Sequence, residues 1–98
     1  MRFEFDDDKL AALYTDEKGA HKYPVGVVDS FFEVMDHIKA ANNEQDLRAF
    51  KSLRFERLSG QRKHQHSLRL NDQYRLVVEL QDDERGKFLL IISLEDYH

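Results

Sequence analysis

The chain of 98 residues has no cysteine, and that absence removes disulfides and thiolate metal sites. It agrees with a reducing compartment. No apolar run approaches the roughly 18 residues of a membrane span, and no charged-then-apolar leader opens the chain. Repeats, low-complexity stretches and linkers are missing as well. The expectation is one cytoplasmic domain over 1–98 with no membrane contact, since a chain of this length has no room for a second domain. Its apolar content is ordinary and sufficient for a core, but a domain this small has little stability in reserve.

A net charge of −4 argues at first against a nucleic-acid partner. The distribution argues the other way. Residues 1–46 carry 5 Lys/Arg against 11 Asp/Glu, residues 47–75 carry 8 against 2, and residues 76–98 carry 2 against 6. A basic middle between acidic ends can build one positive face on an acidic molecule, and phosphates respond to that face more than to the sum. The same numbers also fit basic residues that simply balance acidic ones across the fold.

Arg2–Phe5 alternates charged and apolar side chains, the period of a short half-buried strand. Asp6, Asp7 and Asp8 suit a helix start, where carboxylates meet free N–H groups and the positive end of the dipole. Leu10, Leu13 and Tyr14 follow at helical spacing, and the loop around Gly19 closes this helix. Pro24 suits the opening of a second helix. There Val27, Val28, Phe31, Met35 and Ile38 form a core stripe, and Asn42-Asn43 ends it. From Leu53 the period changes to two. Leu53–Leu58, Gln65–Leu70, Gln73–Leu80 and Lys87–Leu94 read as strands, separated by Ser59-Gly60, Asn71-Asp72 and the 82–86 turn. Phe88–Ile92 is apolar on both faces and reads as a central strand. Short connections make the last four strands an antiparallel meander. The fold class is α+β, with two N-terminal helices on a small curved, mainly antiparallel sheet in the order β-α-α-β-β-β-β.

Three segments carry candidate chemistry. A hairpin centred on Asp72 sets Arg69 opposite Arg75 and leaves Leu68, Leu70, Tyr74, Leu76 and Val78 on the core face. Like charges directly opposed are destabilising. The two arginines either splay into water or hold an anion, for which paired guanidiniums suit a phosphate. Arg62-Lys63-His64-Gln65-His66 is basic. Its two histidines share a strand face and suit a phosphate contact or a polar strand edge; a metal lacks a third ligand. Finally, Glu95-Asp96-Tyr97-His98 follows the central strand, and Asp, Tyr and His are proton-transfer residues.

The run from Leu58 to Leu76, with Leu58-Ser59-Gly60, Arg62, Ser67-Leu68-Arg69, Asn71 and Tyr74-Arg75, resembles the HigB pattern of the RelE toxin superfamily. The Asp96-Tyr97-His98 ending resembles that family's terminal signature. The likeness is strongest over 53–98. It implies a RelE-like fold and cleavage of messenger RNA on the ribosome through attack of the ribose 2′-OH on the adjacent phosphate. It implies no metal or organic cofactor, and neutralisation by a helix-turn-helix antitoxin of the HigA type, with operator DNA reached only through that antitoxin. On this resemblance Arg69 and Arg75 are the phosphate clamps, and Asp96, Tyr97 and His98 the proton-transfer group. Arg57, Arg62, Lys63, His64 and His66 are substrate contacts. One departure is Glu56, which stands where some members place a catalytic His; Glu56 itself, Arg57 or His66 are the substitutes. Two rivals remain open on the residues. One is a ParE-like inhibitor of DNA gyrase on the same fold, and the other an RNA- or ribosome-binding module without cleavage.

Overall fold

The computed structural model describes residues 1–97. Strand β1 (Phe3–Phe5) is followed by helices α1 (Asp8–Asp16), α2 (Val27–Ala40) and α3 (Glu44–Ala49). Strands β2 (Glu56–Arg57), β3 (His66–Arg69), β4 (Tyr74–Asp83) and β5 (Gly86–Asp96) complete the sheet. Its spatial order is β1-β5-β4-β3-β2. The meander from β2 to β5 is antiparallel, and β1 runs parallel to β5 at the far edge. The α+β class expected from the periodicity is the one found.

The helix boundaries follow local chemistry. Asp7 caps α1, its carboxylate accepting from Lys9 N at 2.7 Å and Leu10 N at 3.4 Å. Pro24 does not occupy the first position of α2. It opens a turn in which its carbonyl accepts from Val27 N at 3.1 Å, and Gly26 at φ 90° supplies the cap. That left-handed backbone favours glycine. The third helix is a correction to the expected pair. Asn43 does not merely end α2: its side chain accepts from Gln45 N and Asp46 N at 3.0 and 3.3 Å and starts α3. A six-residue helix with one buried residue, Leu47, carries too little periodicity to be seen as a stripe. The expected strand Leu53–Leu58 shrinks to Glu56–Arg57, because Lys51–Leu53 winds into a 3₁₀ turn.

The helices cover one face of the sheet. Leu10, Leu13, Phe31, Met35 and Ile38 meet Leu68, Leu76, Val78, Leu89 and Ile91 in a continuous core. Tyr14 joins the layers, with its ring centroid 5.6 Å from that of Phe3 and 6.4 Å from that of Phe31. The β4–β5 pairing is regular from Asp83↔Gly86 to Val78↔Ile91, and resumes at Val77↔Ser93. Ile92 is therefore an extra residue on β5, a β-bulge, and every pair beyond it is displaced by one. No described helix is long and apolar enough to cross a membrane.

Phe31 is fully buried and touches the Tyr14 ring of α1 and the adjacent Phe32 ring of its own helix. Phe31→Ala should cost about 3–5 kcal/mol through lost transfer energy and the cavity left behind. Equilibrium urea unfolding should report this as a lower midpoint at unchanged slope.

Candidate functional site

Cross-strand pairing sorts the polar residues of the face away from the helices into two rows. One row runs Glu56, Ser67, Val77, Ser93 across β2, β3, β4 and β5. The next runs Arg69, Arg75, Glu95 across β3, β4 and β5. Directly paired residues share a face, and so do residues two apart along a strand. The Arg69–Arg75 opposition counted from the turn is therefore present, and Glu56 lies diagonally from Arg69 at about 7–8 Å between Cα atoms.

The like charges are relieved locally. Arg69 pairs with Asp72 in the turn. Arg75 donates from Nη1 to the carbonyls of Asn71 at 2.6 Å and Tyr74 at 3.1 Å. Its guanidinium carbon sits 4.7 Å from the centroid of the Tyr97 ring, a cation–π contact. Tyr97 is in turn tied to the hairpin by its amide, which donates to the Gln73 carbonyl at 2.5 Å. Asp96 pairs with Tyr74 on the opposite side of the strand from Glu95, and Gln73 Nε2 donates to its carboxylate at 3.0 Å. His98 lies outside the described residues.

Arg62 parts company from the rest of the basic segment. From the loop before β3 it reaches Glu95 with two bonds, Nη1–Oε1 at 2.9 Å and Nη2–Oε2 at 2.7 Å. Ser93 Oγ adds a bond to the same carboxylate at 2.5 Å. The Arg62 hydrogen bond is the main cause holding the Glu95 carboxyl below its ordinary pKa, with the Ser93 bond assisting against the opposing effect of burial. Arg69 and Glu95 thus bracket Arg75 across the sheet, and Arg62 holds Glu95 in place.

The remaining basic residues gather elsewhere. Arg57, Lys63, His64 and His66 line an open cleft of about 540 Å³ together with Glu44 and Arg48 of α3. Arg57 Nε donates to the Lys63 carbonyl at 2.6 Å. His66 is buried and stacks on Phe55 at 4.7 Å between centroids and 6° between planes. Arg48 lies over the same Phe55 ring at 5.0 Å. Burial first, then Arg48, lowers the pKa of His66; Glu44 opposes and Arg57 adds to the lowering. His64 leans toward Glu79 at 3.7 Å. Among the described residues no group of three or more His, Cys, Asp and Glu is disposed to hold a metal.

The sequence reading missed Glu95, Arg48 and Glu44 as members of these sites. Arg48 belonged to the basic block and signalled itself by charge. Glu95 was read as part of the polar 95–98 segment, but its place beside Arg75 had no signal: unbroken pairing counted back from the 83–86 turn sets Leu94 there, and only the extra Ile92 brings Glu95.

The fold is that of small bacterial toxins. A YoeB/ParE toxin from Agrobacterium tumefaciens superposes at TM-score 0.56 with 15% identity, covering 100% of both chains. The toxin–antitoxin complex RelBE2 from Mycobacterium tuberculosis gives 0.53 at 16%, over 98% of this chain and 96% of that one. A YoeB–YefM complex from Staphylococcus aureus gives 0.54 at 19%, over 100% and 97%. At such identities the likeness is one of fold. Membership is decided by sequence. Residues 3–91 match the family described as RelE-like toxin of type II toxin-antitoxin system HigB, and the chain belongs to that family. It is 37% identical over 82 residues to Toxin HigB-1 of Vibrio cholerae, covering 84% of this chain and 86% of that protein.

The His66 environment gives a pH dependence. Its folded-state pKa lies below the ordinary value of 6.5, so the unfolded chain takes up the proton first on acidification. The unfolded state then binds more protons, and stability falls as pH drops through about 6.5 toward the lowered folded-state value. His66→Phe keeps an aromatic ring against Phe55 and should flatten unfolding free energy measured between about pH 7 and about pH 5.

Proposed function

We propose that this chain is a single toxin domain over 1–98 that acts in the cytoplasm as a metal-independent endoribonuclease on messenger RNA at the ribosome. The observation that carries the reading is the meeting of Arg75 with Tyr97, guanidinium over ring at 4.7 Å, while Arg69 stands opposite Arg75. Two cations that cannot lose their charge then stand side by side next to a phenol at the end of a well-paired strand.

The reaction needs few parts. The 2′-oxygen of one ribose forms a bond to the adjacent phosphorus as the 5′-oxygen of the next nucleotide leaves. A base takes the 2′-OH proton, and an acid gives one to the departing oxygen. The products are a 2′,3′-cyclic phosphate and a 5′-hydroxyl. Arg69 and Arg75 stabilise the extra charge of the phosphorane. Arg75 is anchored through Nη1, which leaves its other donors for phosphate oxygens. Asp96, Tyr97 and His98 supply base and acid, with Glu56 one row away as a further carboxylate. The dependence on a 2′-OH makes RNA the substrate and spares DNA.

The family description names a toxin–antitoxin system, and two of the structural neighbours are toxins with antitoxins. The partner proposed here is a HigA-like antitoxin with a helix-turn-helix, through which alone the toxin meets operator DNA.

Expression of the chain without antitoxin should arrest growth and yield messages cut within coding sequence. Intact messages with accumulating DNA breaks would assign it instead to gyrase inhibition. In single-turnover cleavage on programmed ribosomes, Arg75→Ala should lower the rate about 100-fold or more, with a smaller loss of binding, since the guanidinium acts most on the phosphorane. Truncation to residue 96 should abolish cleavage; a fully active truncated chain would remove Tyr97 and His98 from the mechanism.

A further inference from the structure

We propose that the cleft between α3 and the β2–β3 edge is a second phosphate-binding site, distinct from the Arg69–Arg75 centre, that holds the sugar-phosphate backbone of RNA. The inference rests on the reading of the chain as an RNA-directed toxin and adds to it where the strand is gripped.

The cleft has the chemistry of an anion site. Arg48, Arg57 and Lys63 set three cations against the single carboxylate of Glu44. Glu44 is engaged by Arg48 at 3.3 Å. Neither Lys63 nor the Arg57 guanidinium has a carboxylate partner among the described residues. Arg57 is held by one bond from Nε, so both of its terminal amines remain to be used. The wall carries a second, independent sign. His66 is only 9% exposed, and its Nδ1 is buried with no hydrogen-bond partner among the described residues. Buried polar atoms are nearly always satisfied, and exceptions cluster at functional positions. Burial first, and then Arg48 and Arg57 against the opposing Glu44, disfavour the charged form of the same ring, in keeping with the excess of cations lining the cleft. A phosphodiester meets that charge and those donors; a neutral ligand uses neither.

The placement separates the cleft from the reaction centre without isolating it. His66 and Arg69 are three residues apart on β3, hence on opposite faces and about 10 Å apart along the strand. Between the faces stands only β2, two residues long. A single strand passing round this short edge reaches both sites a few nucleotides apart. The backbone in the cleft belongs either to the substrate strand or to ribosomal RNA, and the two sources separate experimentally.

The test uses a fluorescent single-stranded RNA of about 12 nucleotides and, in parallel, isolated ribosomes, titrated with the whole chain over a range of salt. The double variant Arg57→Ala, Lys63→Ala should lose about tenfold or more in affinity, and its salt dependence should become shallower by about 1.4, two single-strand phosphates. Lys63→Ala alone, whose ammonium makes no bond to another side chain among the described residues, should give about half that change in slope. Loss with both probes places the substrate strand in the cleft; loss with ribosomes alone places ribosomal RNA there. A charge-matched control, Lys18→Ala with Lys22→Ala in the turn after α1, should keep wild-type affinity. Unchanged affinity and slope in the cleft variants, or an equal loss in the control, overturns the proposal while leaving the endoribonuclease reading intact. Failure of the wild-type chain to bind or cut RNA on either probe overturns that reading and this inference together.

Discussion

The antiparallel pairing of β4 with β5 is the constraint on which the rest of the site depends. Arg75 already has Arg69 on one side through the short hairpin to β3, and the β4–β5 pairing sets Glu95 on the other. The single extra residue, Ile92, decides which side chain of β5 stands there. Without it Leu94 would lie beside Arg75, and Arg62 would have no carboxylate to reach across the face. A bulge bends its strand and re-aims the side chains beyond it, and here it does so three residues before Glu95. The core keeps its register through the shift: Ile91 and Leu94 straddle the bulge, and both still pack with the core.

The same bulge marks where the sequence stops being legible. Strongly periodic elements were legible. The stripe of α2 and the alternation of the last strands gave the layer order, and the Asn71–Gln73 turn gave the Arg69–Arg75 register, because a short hairpin leaves no freedom between its strands. What stayed hidden depended on contacts between distant segments. The six residues of α3 fold on a cap and one buried leucine, a signal shorter than a helical period can show. The division of the basic segment was also invisible. Arg62 and Lys63 are neighbours in sequence, yet one turns to Glu95 and the other to the cleft with Arg57 and His66. A loop residue's direction is set by its tertiary partner, and 33 positions separate Arg62 from Glu95.

The ion pairs themselves bear on function more than on stability. Arg62 and Glu95 are 47% and 35% exposed at their side chains, and pairs in such settings contribute at most about 1 kcal/mol. Their consequence is electrostatic. In the free protein Glu95 and Asp72 screen Arg62 and Arg69, so the open face presents less positive charge than its arginines alone would give. On the proposed reading, a phosphate that reaches Arg62 or Arg69 competes with carboxylates already in place, and its binding exchanges one anionic partner for another. That exchange is less favourable than filling an unopposed cation site, but it is selective. A ligand must offer forked oxygens in the position Glu95 occupies, which a phosphodiester does. The cleft proposed beside α3 follows the opposite principle, since Lys63 and the Arg57 amines have no carboxylate partner among the described residues. On the proposed reading, an acidic chain thereby carries one site suited to attracting a polyanion and another suited to discriminating its geometry, on the two faces of one short sheet edge.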